Sequence, residues 1–256
     1  RELDPATNRY VEQARFEPQV EPVDPVYTAA LDASDTLIRF AVAESVTSWT
    51  IVDALNNIDF LSGEIAAVPS EGSLAPDSYE ISKGQDRNEI LADMAARQER
   101  ILAQAWAERA DDVEVETPQE ALILASIIEK ETAVAEERGQ VASVFTNRLK
   151  RGMRLQTDPT VIYGITKGEG ILGRGLRRSE LRAETPWNTY VIPALPPTPI
   201  ANPGRASIEA ALNPESTDLL FFVADGTGGH AFARTLDEHN ANVAKWRKIE
   251  AERNAN

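Results

Sequence analysis

Two glutamates at the end of a wholly apolar stretch are the residues best placed to do chemistry in this chain. Residues 121–128 read Ala-Leu-Ile-Leu-Ala-Ser-Ile-Ile, and Glu129-Lys130-Glu131 follows directly. A helix that is apolar on all sides runs through a protein interior, so a carboxyl group at its end loses water. Desolvation raises a glutamate pKa and keeps the proton on, which is what a general acid requires. Residues two apart on a helix point roughly 200° apart, so Glu129 and Glu131 cannot both face one site. Glu131 prolongs the bulky stripe of Leu124, Ile127 and Ile128, whereas Glu129 prolongs the small pair Ala125 and Ser126. The spacing therefore predicts Glu131 as the buried member, with Glu129 as a possible second acidic residue. A solvated, lysine-paired helix end explains the same triplet without any chemistry.

A second set lies downstream, in residues 153–204, where Pro, Gly, Thr and Asn dominate and periodicity fades. Gln156, Asp158, Tyr163, Asn188 and Tyr190 combine amides, hydroxyls and aromatic faces, the groups that hold a polar ligand such as a sugar. Turn chemistry accounts for Asp158-Pro159 and Asn188-Thr189 equally well. His230 and His239 are the only imidazoles and cysteine is absent, which excludes disulfides, thiolate nucleophiles, zinc ribbons and iron–sulfur ligation. With the two histidines on different elements and no third ligand beside them, neither a metal nor a cofactor is expected. The run Asp225-Gly226-Thr227-Gly228-Gly229 lacks the Lys-Ser/Thr of a phosphate loop, and no Gly-x-Ser-x-Gly elbow occurs.

Residues 1–36 are acidic and dotted with proline, a linker or peripheral arm. Residues 37–43 alternate as a half-buried strand, and Ile51, Val52, Leu55 and Ile58 mark an amphipathic helix. A loop at 70–79 precedes a helix at 87–110. Thr117-Pro118-Gln119-Glu120 combines a cap, a proline at the first helical position and a capping box, and so opens the apolar helix. Another helix covers 135–150, with Gly152 as its stop. A short helix at 207–212, a buried strand at 219–223, a turn, a strand at 230–233 and a terminal helix opened by Thr235 and Glu238 complete the chain. The class is α+β, helices around Glu131 with short antiparallel strands.

Charge and composition narrow the function. Lys plus Arg number 26 against 41 Asp plus Glu, a net charge of −15, which excludes the basic footprint of a nucleic-acid binder. With 42 % hydrophobic residues the 256-residue chain can bury a proper core. No apolar run reaches the ~20 residues of a membrane helix.

The strings ILASIIEKETAVAEERGQVASVFTNRLKRGMRLQTDPTVIYGI, TPWNTYVIPALPPTPIANPGRASIEAALNP and LLFFVADGTGGHAFARTLDEHN resemble the endolytic murein transglycosylase family, the MltG/YceG-like proteins. The likeness runs from about Val46 through the C-terminal helix. It implies a membrane-anchored protein at the periplasmic face of the bacterial inner membrane. Such a protein cleaves MurNAc–GlcNAc β-1,4 bonds in nascent peptidoglycan strands and leaves 1,6-anhydro-MurNAc ends. The family's catalytic acid is the second glutamate of the triplet, here Glu131; Gln156, Asp158, Tyr163, Asn188 and Tyr190, assigned from their chemistry and their place in these motifs, are expected to bind the substrate. Residues 37–62 resemble the end of a LysM-like module and 63–256 the catalytic domain, with an anchor expected upstream. Glycan strands are the implied partner and peptidoglycan synthases further candidates. A hydrolase pairing Glu131 with Asp158, or a non-catalytic peptidoglycan-binding protein, are the alternatives. Because an acidic protein suits a partly anionic polymer poorly, the cleft is expected to be neutral or basic through Arg148, Arg151 and Arg154.

Overall fold

A computed structural model describes residues 36–254 continuously, residues 24–33 ahead of them, and short pieces at 2–4, 7, 9–12 and 15. In chain order the elements are β1 (Glu2–Asp4), β2 (Arg9–Val11), α1 (Pro25–Asp32), β3 (Ile38–Ala41), α2 (Ser48–Asn56), β4 (Ser78–Ile81) and α3 (Arg87–Ala107). There follow α4 (Pro118–Glu131), α5 (Arg138–Lys150), α6 (Asp158–Thr166), α7 (Arg205–Leu212), β5 (Phe221–Ala224), β6 (His230–Ala233) and α8 (Leu236–Asn254). Among the described residues the strands form three separate antiparallel pairs, β1–β2, β3–β4 and β5–β6, so the architecture is α+β.

Helix α4 is the axis of the molecule. Its first turn is closed by Thr117, whose Oγ1 accepts the Glu120 amide at 3.2 Å, while the Glu120 carboxylate reaches back to the Glu116 amide at 2.7 Å. Every residue from Ala121 to Glu129 is buried, because α3, α5, α6 and α7 pack around the helix. Leu124, Ile127, Phe145, Leu155 and Ile208 form the centre of this core. Truncating one of the large side chains, as in Leu124→Ala, would cost about 2–5 kcal/mol.

A second core joins α2, β3, β4 and the first half of α3 through Ile51, Leu55, Leu74, Ile81, Ile90 and Met94. It runs across the expected boundary at residue 62. Strand β3 pairs with β4, Ile38 lying opposite Ile81, and Ser62 bridges to Asp86. Arg87 then donates to the carbonyls of Leu55, Ile58, Leu61 and Gly63 at 2.7–3.0 Å, closing the open end of α2.

Three local readings need correction. Strand β4 lies at the end of the stretch taken as a loop, since its partner sits some forty residues upstream and no local signal announces it. Helix α6 occupies residues taken as irregular: Asp158-Pro159 opens a helix rather than a turn, because proline is tolerated in a first turn. Strand β5 is half-buried along its length, not buried, because it forms part of a cleft wall. Of the expected linker, α1 carries no buried residue, and most of residues 1–23 lie outside the described residues.

Candidate active site

The end of α4 is fastened to three different parts of the chain by three consecutive side chains. Glu129 accepts the Gly204 amide at 2.9 Å, at the N-terminus of α7. Lys130 donates to the Ser45 carbonyl at 3.3 Å. Glu131 accepts a short hydrogen bond from the Thr157 hydroxyl. Thr157 is the N-cap residue of α6, yet its side chain caps nothing, because it is turned to Glu131 instead. The Thr157 backbone is held in turn by buried hydroxyls. Its amide donates to Thr189 Oγ1 at 3.0 Å, and its carbonyl accepts from Thr160 Oγ1 at 2.8 Å.

Glu131 opens on a cleft of about 510 Å³ with two unlike walls. One is polar: Glu131, Arg148, Gln156, Thr157, Asp158 and Tyr190. The other is largely apolar, made by Phe221, Phe222 and Val223 of β5 with Leu236, His239 and Val243 of α8. Burial raises the Glu131 pKa, the Thr157 hydroxyl and the charges of His230 and Arg148 pull it back, and Asp158 adds to the rise. Arg148 is itself buried on α5, donating Nε to the Leu220 carbonyl at 2.7 Å and Nη1 to the Leu155 carbonyl at 2.6 Å. It thus ties β5 to the loop carrying Gln156, with a cation beneath the cleft. Tyr190 donates to Asp158 Oδ1 at 2.6 Å; burial and that carboxylate raise its pKa, so it stays a donor. Gln156 holds a left-handed backbone (φ 52°), a strain of order 1 kcal/mol for a non-glycine residue, stabilised by its amide donating to the Thr189 carbonyl at 3.2 Å.

The structure brings Glu131, Gln156, Asp158 and Tyr190 together and leaves three other expected residues aside. Asn188 is fully buried: its Nδ2 donates to the carbonyls of Glu180, Leu181 and Ala183, and its Oδ1 accepts the Tyr190 amide. No polar atom of it is left for a ligand, so it shapes the loop that carries Tyr190. Tyr163 packs on Trp187 with ring centroids 5.9 Å apart, away from the cleft lining. Burial and the Glu71 carboxylate that its hydroxyl meets push its pKa up to about 12. Glu129 faces α7.

The burial expectation for the two glutamates is also reversed. Glu129 is the more enclosed, at 8 % exposure, and Glu131 keeps an opening to the cleft. Side-chain bulk along α4 could not discriminate them, because protein surrounds the helix on every face and only the cleft interrupts it.

Thr157, sandwiched between two singled-out residues, was the missed partner; its adjacency to Gln156 and Asp158 was the available signal. Of the three arginines, only Arg148 lines the cleft; Arg154 donates to the Tyr190 carbonyl at 3.1 Å from outside, and Arg151 is exposed. Arg148 and Asp158 bring one basic and one acidic side chain to the lining beside Glu131. His230 is held by Glu137 through Nδ1 at 2.8 Å, while His239 stacks on Phe221. Among the described residues no three His, Cys, Asp or Glu side chains converge as metal ligands.

The model of the YceG-like family matches residues 16–245. An endolytic murein transglycosylase of Bacillus subtilis (strain 168) is 38 % identical over 178 residues, covering 70 % of this chain and 48 % of its own. One from Streptococcus pneumoniae serotype 2 is 29 % identical over 225 residues, covering 79 % and 40 %. The chain therefore spans about half or less of the curated relatives it matches. The crystal structure of a putative yceG-like protein from Listeria monocytogenes shares the fold with a TM-score of 0.66 and 31 % identity, over 79 % of this chain and 75 % of the other.

Proposed function

Because the chain belongs to the YceG-like family, we infer that it is the catalytic part of an endolytic lytic transglycosylase of the bacterial cell envelope. In this reading it cleaves MurNAc–GlcNAc β-1,4 bonds in nascent peptidoglycan strands and leaves 1,6-anhydro-MurNAc ends. The observation that carries it is a single desolvated carboxyl group, Glu131, facing a cleft large enough for sugar rings, with a hydroxyl donor on one oxygen.

One carboxyl group suffices for this chemistry. Protonated Glu131 gives its proton to the glycosidic oxygen, which leaves as the 4-hydroxyl of GlcNAc while C1 of MurNAc becomes oxocarbenium-like. The MurNAc 6-hydroxyl then closes on C1, and its proton returns to Glu131. Atoms balance without water. Between the two transfers Glu131 is an anion, and the Thr157 hydroxyl and buried Arg148 are the groups that stabilise it. Gln156 and the Tyr190–Asp158 pair offer hydrogen bonds to the sugars, and the aromatic residues of β5 offer faces.

A hydrolase would need a second carboxylate about 5–9.5 Å away as nucleophile or base. Asp158 is the nearest acidic neighbour in the lining, but its Oδ1 already accepts from Tyr190. Among the described residues no helix is long and apolar enough to cross a membrane. An anchor preceding this sequence would hold the cleft at the periplasmic face, within reach of newly made strands and of the synthases that extend them. In the same reading the unit around β3 and α2 is the end of a LysM-like module.

Mass spectrometry of products from uncrosslinked glycan strands tests the proposal, with wild type beside Glu131→Gln and Glu129→Gln. Anhydro ends that vanish only with Glu131→Gln are the expected result. Reducing ends would move the assignment to the hydrolase, and intact strands with a folded wild type would favour a binding protein.

A further inference from the structure

The loop between α6 and the 3₁₀ turn at Glu180–Arg182 is basic within an acidic chain. Within 167–182 stand Lys167, Arg174, Arg177, Arg178 and Arg182 against Glu169 and Glu180, in a protein whose net charge is −15. Its tip is Ile171, 94 % exposed and the most exposed large apolar side chain among the described residues. A Cβ built on Gly170, Gly173 or Gly175 would meet nothing within 4 Å, so this stretch stands clear of the body.

The loop is nevertheless organised. At one end Lys167 sits 3.5 Å over the Trp187 ring, and the Gly168 carbonyl accepts from Thr47 at 2.7 Å. At the other, Arg174 grips Glu180 with both Nη atoms, at 2.5 and 3.0 Å, and the Arg177 amide adds a third bond to that carboxylate. Those contacts hold the Glu180 pKa down to about 2. Asn188 then braces the Glu180, Leu181 and Ala183 carbonyls, two residues from Tyr190 in the cleft. Arg177, Arg178 and Arg182 are exposed and carry no ion pair within the described residues.

We propose that this loop is a membrane-contact element that lands on an anionic phospholipid surface, Ile171 entering the headgroup layer and the free arginines meeting lipid phosphates. An apolar tip backed by arginines is the arrangement that interfacial binding uses. A contact with anionic glycan or peptide stems would use the arginines and have no role for a bare isoleucine at the tip. The acidic body is repelled by such a surface, so the loop also sets orientation: the protein approaches loop first. This inference does not depend on the transglycosylase assignment, since binding is read without turnover.

Flotation of the purified chain with vesicles of phosphatidylglycerol and phosphatidylethanolamine, beside neutral phosphatidylcholine vesicles, is the test. Wild type and Glu131→Gln should float alike with the anionic vesicles, release as salt rises, and stay unbound with the neutral ones. Arg177→Glu combined with Arg178→Glu should lower the bound fraction about tenfold or more, at an unchanged thermal midpoint. An Ile171→Trp reporter should blue-shift on anionic vesicles. Failure of wild type to float, or equal flotation of the charge-reversed variant, would overturn the proposal. So would a charge-reversed variant that still floats but no longer retains soluble glycan strands, which would make the loop a substrate contact.

Discussion

Glu129 and Glu131 leave the same turn of α4 and enter opposite surroundings. On the α7 side, Glu129 is shut away from solvent and meets the Gly204 amide at the N-terminus of α7. On the cleft side, Glu131 keeps some exposure, has the Thr157 hydroxyl as its donor, and its pKa rises. Loss of exposed surface therefore does not separate the two. Each accepts one hydrogen bond, and what distinguishes the two is what they face: Glu129 the N-terminus of α7, Glu131 the open cleft.

The sharpest way to break this comparison is the pair of amide variants. Glu131→Gln should lower strand cleavage by about 10²–10⁴-fold, the usual contribution of general acid–base catalysis. Glu129→Gln should leave it nearly intact, since an amide oxygen still accepts from Gly204; an equal loss in both would erase the distinction. Asn188 extends the comparison to the loop residues. Asn188→Ala removes three donated bonds and one accepted bond, and urea unfolding should show a loss of about 3 kcal/mol, with activity per folded molecule retained. Full stability with lost activity would instead make Asn188 a ligand contact.

Thr157→Val probes the donor directly. The hydroxyl favours the carboxylate form, so its removal should raise the Glu131 pKa further, move the alkaline limb of the pH–rate profile upward, and slow the optimum about tenfold. An unmoved limb would show that Thr157 serves only the loop. A smaller effect follows from linkage. Folded Glu131 binds its proton more tightly than the unfolded chain does, so its contribution to stability is intact below the unfolded carboxylate pKa and is lost as pH rises through the folded one. Glu131→Gln lacks that loss, and its stability relative to wild type should grow with pH in a series of urea melts. Smallest of all, Tyr163→Phe should leave cleavage unchanged, since that hydroxyl meets Glu71 away from the cleft lining.

Much of the scaffold was legible locally. Thr117 with Glu120, and Thr235 with Glu238, each announce a helix start, and both pairs make the bonds their spacing promises. Gly152, with φ 64°, follows α5 where a stop was expected. The site was legible only in part. Gln156, Asp158 and Tyr190 do reach the cleft, but Asn188 offers the same chemistry and is consumed by backbone carbonyls, a difference that no composition or spacing conveys.

The sequence by itself determined that α4 is an interior helix ending in carboxylates, that a short antiparallel hairpin precedes a terminal helix, and that the chain is acidic. These depend on caps, turns and periodicities that act within a few residues. Which glutamate faces the cleft, that Thr157 turns away from capping to meet it, and that β5 and α8 form the opposite wall were decided by tertiary structure alone. The cleft joins residues from Glu131 to Val243, and that proximity comes from packing around α4, for which neighbouring positions in the chain carry no signal.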